Sequence, residues 1–340
     1  MNNSILLSII VPMYNAEKFI DKLVDNLSKI NNAEIIMIDD GSNDFTYQYV
    51  KSKCGNKEQF ILRTKSNEGV SATRNMGIDL ARGQYVFFVD ADDEVNVDTV
   101  NYILNRPCTE DIIFAGIVDK IIENETVISI SNPYLENSFM NKSEFISNFG
   151  CYLNEMILYT PCNKLIRREL IIENNIWYDK KLSLGEDILF NLKVYDKVEK
   201  ITFIPLVIYS YNHYMNRRDT GSTKYVKNEL EIASHVFEEI KNLMHKYDVF
   251  DKNRTAFNRF VVRRLAAIFT GIQLKQCDLS IQEKVDFFDR VYSRPIINSA
   301  INDKTIKLDR LKDKLMIYLY RLQCKRIIYI LYRINTRRKL

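Results

Sequence analysis

The apolar run Tyr85-Val86-Phe87-Phe88-Val89 ends directly in Asp90-Ala91-Asp92-Asp93. A short aromatic and β-branched run of this kind reads as a buried strand, so three carboxylates stand at its carboxyl end. Clustered carboxylates resist ionising together and resist losing water. A hard divalent cation removes that cost, and Mg²⁺ or Mn²⁺ suits oxygen ligands. Open α/β sheets also bind ligands outside the carboxyl ends of their strands. An ordinary acidic turn fits the same four residues, and Asp-x-Asp alone does not separate the two readings.

The neighbouring segments add to it. Ser8-Ile9-Ile10-Val11-Pro12-Met13-Tyr14-Asn15 is a strand ending in a turn, followed by a helix from Ala16 to about Ile30 with Phe19, Ile20, Leu23, Val24, Leu27 and Ile30 at helical spacing. Glu34 to Ser42 is a second strand closing in Asp39-Asp40, Phe60-Ile61-Leu62 a third, and Asn67 to Gly77 opens another helix. Alternating strands and helices predict a parallel α/β sheet. No Gly-x-Gly-x-x-Gly follows the first strand, which excludes an NAD dehydrogenase of the usual kind.

The ordered series Pro12-x-Tyr14-Asn15, Asp39-Asp40-Gly41-Ser42, Asn67-x-Gly69-x-Ser71-x-x-Arg74-Asn75-x-Gly77 and Asp90-x-Asp92-Asp93 resembles the family 2 glycosyltransferases of the GT-A fold. It continues in Asn163-Lys164-Leu165, in Gly185-Glu186-Asp187-Ile188-Leu189-Phe190 and in Arg218-x-x-Gly221-Ser222, covering roughly the first 225 residues. The resemblance implies a nucleotide-diphospho-sugar transferase fold: a Rossmann-like mixed, mainly parallel sheet flanked by helices, with a helical C-terminal appendage. It implies an inverting, metal-dependent transfer from a nucleotide sugar, UDP-linked by preference, to a glycan or lipid-linked glycan in surface-polysaccharide synthesis. A sugar nucleotidyltransferase is the competing enzyme, but its Gly-rich N-terminal signature is missing. A non-catalytic nucleotide-sugar-binding scaffold is the other alternative, and the intact carboxylate pairs argue against it.

Carried over residue by residue, the resemblance makes Asp92 the direct ligand of Mn²⁺ or Mg²⁺. Asp90 binds a ribose hydroxyl or reaches the metal through water. Asp93 stands open between a third member of the cluster and a turn cap before Val95. Pro12, Tyr14, Asp40, Asn67 and Arg74 are expected on the donor; a tyrosine can both stack on a base and hydrogen-bond. Asp39 orients the turn beside Asp40. Asp187 is the expected general base and Glu186 its partner toward the acceptor, although carboxylates at a helix start are favoured by the exposed N–H groups anyway. Asn163 and Lys164 are expected on the acceptor side. Tyr209 to Ser222 resembles a loop that closes on the donor, with Arg217 or Arg218 clamping the diphosphate. The family's arginine soon after the second tyrosine is absent here, replaced by Asn212 and His213, so the choice of arginine stays open. His213 reads as a metal or diphosphate contact or as a plain loop histidine.

Organisation follows from pattern and charge. A catalytic domain is expected over 4–223, with a nucleotide-binding half at 4–115 and an acceptor half at 116–223. Residues 112–130 read as edge sheet and a helix is expected from about Ser143. The region 224–340 reads as helices at about 225–247, 254–275, 280–292 and 306–335. No internal repeat stands out. Six cysteines are scattered without a Cys-x-x-Cys pair, which fits a reducing cytoplasm and no zinc site. No signal peptide and no apolar run of membrane-spanning length is expected. The chain carries net charge +4, but residues 304–340 alone carry +10, leaving −6 on the rest. A basic tail interleaved with aliphatic residues predicts peripheral contact with an anionic membrane at its cytoplasmic face; no nucleic-acid motif is present.

Overall fold

The computed structural model describes residues 5–123, 126–131, 138–153, 155–214, 225–274, 276–307 and 311–337. Arg217, Arg218, Gly221 and Ser222 lie outside them. The chain divides into two units: Met1–Phe145 with Ile157–Asn216, and Ile146–Met156 with Arg217–Leu340.

The strands of the first unit are β1 (Leu7–Met13), β2 (Ala33–Asp39), β3 (Phe60–Thr64), β4 (Tyr85–Phe88), β5 (Glu94–Val95), β6 (Ile112–Glu123), β7 (Thr126–Ser131), β8 (Ser138–Asn141), β9 (Lys164–Arg167) and β10 (Lys200–Tyr214). They form one sheet in the order β3-β2-β1-β4-β9-β6-β10-β5, with β7 on β6 and β8 on β10. The four strands β3, β2, β1 and β4 are parallel, and β9 runs antiparallel between β4 and β6. The central strands are near-continuous apolar runs because helices cover both faces of such a sheet. Ile10 sits opposite Ile36 on one side and Phe88 on the other, all fully buried. This register brings the carboxyl ends of β1, β2 and β4 to one edge, so that Tyr14, Asp40 and Asp90 emerge together.

The helices of this unit are α1 (Ile20–Leu27), α2 (Thr46–Cys54), α3 (Val70–Leu80) and α4 (Val97–Leu104). After α5 (Lys142–Ser147), which spans the unit boundary, and α6 (Phe149–Leu153) of the second unit come α7 (Arg168–Glu173) and α8 (Glu186–Tyr195). Helix α1 buries Ile20, Leu23, Val24 and Leu27, the expected helical stripe. Two expectations fail here. Tyr209 to Tyr214 is not a loop but the end of β10, paired in parallel with Ile117 to Ile122 through Tyr211 opposite Asp119. Alternation in this short segment was masked by polar residues on both faces, and the partner that fixes it lies about ninety positions earlier. His213, correspondingly, is a strand residue whose Nε2 lies 3.0 Å from Asp119 Oδ1.

The second unit is helical: α6 with α9 (Glu229–Lys246), α10 (Phe250–Gly271), α11 (Ile281–Tyr292), α12 (Pro295–Asn302), α13 (Leu311–Arg321) and α14 (Lys325–Arg337). Phe269 centres its core, stacked on Phe288 at 4.3 Å and flanked by Tyr320 and Tyr332 at 5.5 Å each. Helix α12 was not anticipated. Pro295 opens it at the first helical position, where proline is favoured, and Ile296, Ile297, Ala300 and Ile301 are its buried face. The single helix expected over 306–335 is two helices. Gln323 takes φ 52° between them, with the Cys324 N–H donating to Leu319 O at 3.1 Å, a left-handed cap of the Schellman kind. Without a glycine there, the break leaves no composition signal.

Helix α3 packs on β1 through Gly77, where a Cβ would stand 2.3 Å from Ile10 Cγ2. Ile10 is β-branched and fully buried, so it has no room to yield. Gly77→Ala is expected to cost about 1–3 kcal/mol through overpacking, read as a lowered urea midpoint with unchanged m-value.

Candidate active site

Every described candidate residue belongs to the first unit, and the centre of the site is Arg74 on α3. Its side chain is only 4% exposed. Nη1 donates to Asp187 Oδ1 at 2.5 Å and Nη2 to Asp90 Oδ1 at 3.1 Å, while Glu186 Oε1 lies 3.9 Å from Nη1. One guanidinium therefore joins the end of β4 to the start of α8. Its plane lies 5.4 Å from the Tyr178 ring, which stacks on Phe190 at 4.1 Å. The adjacent Asn75 clamps Tyr178 by exchanging two 2.9 Å hydrogen bonds with its backbone. The Arg-Asn dipeptide thus does two jobs, one toward the carboxylates and one toward the ring beneath them. Tyr178 and its neighbour Cys162, whose thiol reaches Asp90 Oδ2 at 3.7 Å, carried no motif signal in the sequence.

The electrostatics follow from three carboxylates around one cation. Burial alone would lower Arg74, but Asp187 and Asp90 outweigh it and hold its pKa well above the ordinary value. Burial pushes Asp187 up to about 7; Arg74 opposes this, and Glu186 and Asp90 add to it. Three carboxylates crowd one guanidinium, so their mutual repulsion adds to burial in raising Asp187. Gly185 precedes the pair at φ 76°, the left-handed region glycine favours, and so turns Glu186 and Asp187 into the first turn of α8.

Asp90, Asp92 and Asp93 separate into different roles. Asp93 is buried and accepts from Tyr209 OH at 2.6 Å and from the Asn212 N–H at 2.7 Å. Both of these partners lie on β10 rather than in the turn before Val95, so Asp93 pins β10 under the turn. Burial, with Asp90 and Asp92 nearby, pushes its carboxyl up to about 8. Asp90 and Asp92 remain half-buried at the edge.

Around the β1 and β2 ends, Tyr14 is exposed and its hydroxyl accepts from Asn43 Nδ2 at 3.4 Å. Pro12 is half-buried in β1, and Asn67 is exposed in the α3 entry loop. Asp40 is buried and accepts from the Glu68 and Gly69 N–H groups at 2.9 Å each and from Lys65 Nζ. These fill three of a carboxylate's roughly four lone-pair directions. Asp39 accepts from Thr64 Oγ1 at 3.0 Å and from the Ser42 N–H, orienting the turn. Asn163 and Lys164 are fully buried. Lys164 Nζ donates to Thr160 O and lies 5.4 Å from the Phe114 ring, and burial pushes its pKa down to about 7.

A parallel sheet with acidic groups gathered at its carboxyl edge, a mixed half beyond it and helices on both faces defines the GT-A class of nucleotide-sugar transferases. The model of glycosyl transferase family 2 matches residues 8–174, so this part of the chain carries a domain of that family. The crystal structure of S. aureus TarS 1–349 in complex with UDP-GlcNAc shares the fold, with TM-score 0.67 and 24% identity over 98% of this chain and 92% of that one. Among curated relatives, the uncharacterised glycosyltransferase EpsJ of Bacillus subtilis is 29% identical over 62% of each chain. The cholesterol galactosyltransferase of Borreliella burgdorferi is 25% identical over 75% of this chain and 72% of its own. The poly(ribitol-phosphate) β-N-acetylglucosaminyltransferase TarS of Staphylococcus aureus is 28% identical over 69% of this chain and 40% of its own. The chain thus spans less than two thirds of EpsJ and of TarS.

Removing the cation should expose how much the carboxylates depend on it. Arg74→Met is expected to destabilise the protein by on the order of 2 kcal/mol, less than for a fully buried pair because Asp187 and Asp90 are 28% and 29% exposed. Arg74→Lys, a point charge without the fork, should recover part of the stability; urea unfolding of both variants checks this.

Proposed function

We propose that this chain is an inverting, metal-dependent glycosyltransferase that moves a sugar from a nucleotide diphosphate, UDP first, to a glycan or lipid-linked glycan acceptor in surface-polysaccharide synthesis. The observation that carries the reading is the Arg74 bridge, with Asp187 at 2.5 Å and Asp90 at 3.1 Å. It joins a carboxylate suited to take a proton with one suited to face a cation and diphosphate. The UDP-sugar and the polymer acceptor are supported by TarS, a β-N-acetylglucosaminyltransferase of poly(ribitol-phosphate) whose structure holds UDP-GlcNAc.

The donor set fits a divalent cation of the Mg²⁺ or Mn²⁺ kind. Among the described residues no group of three or more His, Cys, Asp or Glu is placed to enclose a metal. With Asp93 engaged by Tyr209 and Asn212, the half-buried Asp92 and Asp90 are the two carboxylates that would hold the ion. Mg²⁺ is commonly held that way, by one or two carboxylates together with substrate phosphates. Bound there, the ion supplies Lewis-acid neutralisation of the leaving diphosphate.

The chain's own residues do the rest. Tyr14 and Pro12 face the base at the β1 end, Asp40 keeps one lone-pair direction for an imide N–H, and Asn67 flanks them. Asp187 takes the proton from the acceptor hydroxyl as that oxygen bonds to the anomeric carbon. The bond from that carbon to the diphosphate breaks on the opposite side, so the configuration inverts. Arg74 holds Asp187 in one orientation, and Glu186 directs the acceptor. Asn163 and Lys164, buried as they are, serve the acceptor side by holding the segment before β9, Asn163 through Ile157 O and Lys164 through Thr160 O. Arg217 or Arg218 remains the proposed diphosphate clamp.

Two experiments test this. Asp187→Asn should retain donor binding and lose transfer by about 10²–10⁴-fold, the value of a positioned base. Because the base must be ionised and its pKa is pushed up to about 7, wild-type kcat/KM should fall as pH drops through that value. Product NMR should report inversion; retained configuration would overturn the single displacement. Separately, Asp92→Asn should abolish transfer with the melting temperature nearly unchanged. Chelation should mimic it and Mn²⁺ or Mg²⁺ reverse the chelation; full turnover in excess chelator would remove the metal from the reaction.

A further inference from the structure

Helices α13 and α14 carry the same nine-residue pattern twelve positions apart. Lys314-Leu315-Met316-Ile317-Tyr318-Leu319-Tyr320-Arg321-Leu322 aligns with Arg326-Ile327-Ile328-Tyr329-Ile330-Leu331-Tyr332-Arg333-Ile334. This is the repetition that the sequence reading passed over. Three equivalent positions are buried in each copy: Met316, Ile317 and Tyr320 in one, Ile328, Tyr329 and Tyr332 in the other, with Leu319 buried in the first copy alone. The two equivalent tyrosines meet, their hydroxyls 2.6 Å apart. Each copy also exposes the same positions. Leu315, Tyr318 and Leu322, and Ile327, Ile330 and Ile334, are all between 45% and 58% exposed. Residues at i, i+3 and i+7 share one helical face, so each helix is apolar on two sides, one in the core and one in water. Those six make up nearly half of the large apolar side chains exposed among the described residues.

We propose that this duplicated hairpin is a docking surface for an anionic phospholipid bilayer, on which both helices lie without crossing. Length argues for lying on it. At about 1.5 Å per residue, 11 and 13 residues fall well short of a hydrocarbon core about 30 Å thick, and no described helix is long and apolar enough to span one. Charge argues for the sign of the lipid. Exposed Lys314 and Arg326 occupy equivalent places beside the two stripes, with half-exposed Arg333 at the edge of the second, inside a segment of net charge +10. Basic residues flanking an apolar face are the composition that binds anionic interfaces. The same charge disfavours a second copy as the occupant, since it would set +10 against +10. Arg321 is committed inward, to Ile301 O and Asp303 O, and Lys325 to Asp289, so the hairpin is anchored to its unit.

The test is co-sedimentation of the full chain with vesicles at low ionic strength. Wild type is expected to pellet with vesicles of equal parts phosphatidylglycerol and phosphatidylcholine. It should stay in solution with phosphatidylcholine alone, and added salt should release it. Ile327→Gln/Ile330→Gln/Ile334→Gln and, separately, Lys314→Gln/Arg326→Gln should each lose most of the pelleted fraction while keeping circular dichroism and UDP-sugar hydrolysis. The charge pair guards against a triple variant that fails to fold. Wild type remaining in solution with the anionic vesicles overturns the proposal. So does a folded apolar variant that pellets like wild type, or a self-association in sedimentation velocity that the same substitutions abolish. Loss of hydrolysis by wild type would count against the transferase reading alone, because pelleting needs no chemistry.

Discussion

One guanidinium organises the catalytic unit. Arg74 is nearly sealed from water, and three carboxylates from two distant parts of the chain converge on it. Such an arrangement is stable only if the cation and the anions arrive together: the carboxylates cannot approach one another without it, and it could not be buried without them. The strand end at Asp90 and the helix start at Glu186-Asp187 are therefore one structural object, although almost a hundred residues separate them. Tyr178 and Asn75 belong to it as well, because they fix the plane on which the guanidinium rests. A site of this kind is preorganised: its groups are held where charge will be handled before any ligand is present.

What was legible in the sequence is what local pattern encodes. The strands ending in Tyr14, Asp40 and Asp90 show as apolar runs, and the turn at Gly185 as a glycine before two carboxylates and a helical stripe. What was hidden depends on partners far along the chain. Asp93 looks like its neighbours Asp90 and Asp92 until β10 brings Tyr209 and Asn212 beneath it. His213 looks like a loop residue until β6 supplies Asp119. Asn163 and Lys164 look like polar residues free to meet a ligand, yet packing around Phe114 and Thr160 buries both. In the C-terminal unit, the break at Gln323 uses a residue with no turn preference. The duplication behind it is conservative in character rather than in identity, with Met316 matched by Ile328 and Ile317 by Tyr329, and so it passes unnoticed until the burial of the two helices is compared.

The two units also differ in how they spend polar groups. The catalytic unit buries charged and amide side chains and pairs most of them, at Glu34 with Ser8 and Arg82, and at Asp111 with Arg167. Both units also bury polar atoms without a hydrogen-bond partner among the described residues, Arg74 Nε and Tyr178 OH in the first and Glu231 Oε2 and Tyr292 OH in the second among them, each a cost to a folded core. The helical unit instead rests on aromatic packing around Phe269, and its spare surface is apolar.

Asp40 carries a consequence for where this site can change. Its carboxylate stands at the end of β2 and is the fastener that closes the loop into α3, on which Arg74 is mounted. A substitution there loosens Glu68 and Gly69 and, through them, the helix whose Arg74 holds Asp90 and Asp187. Variation is thus steered away from Asp40. The open route is the outer rim of Tyr14, Asn43 and Asn67, where side chains are exposed and changes are tolerated one at a time. The margin of the site is then editable around a centre that is not.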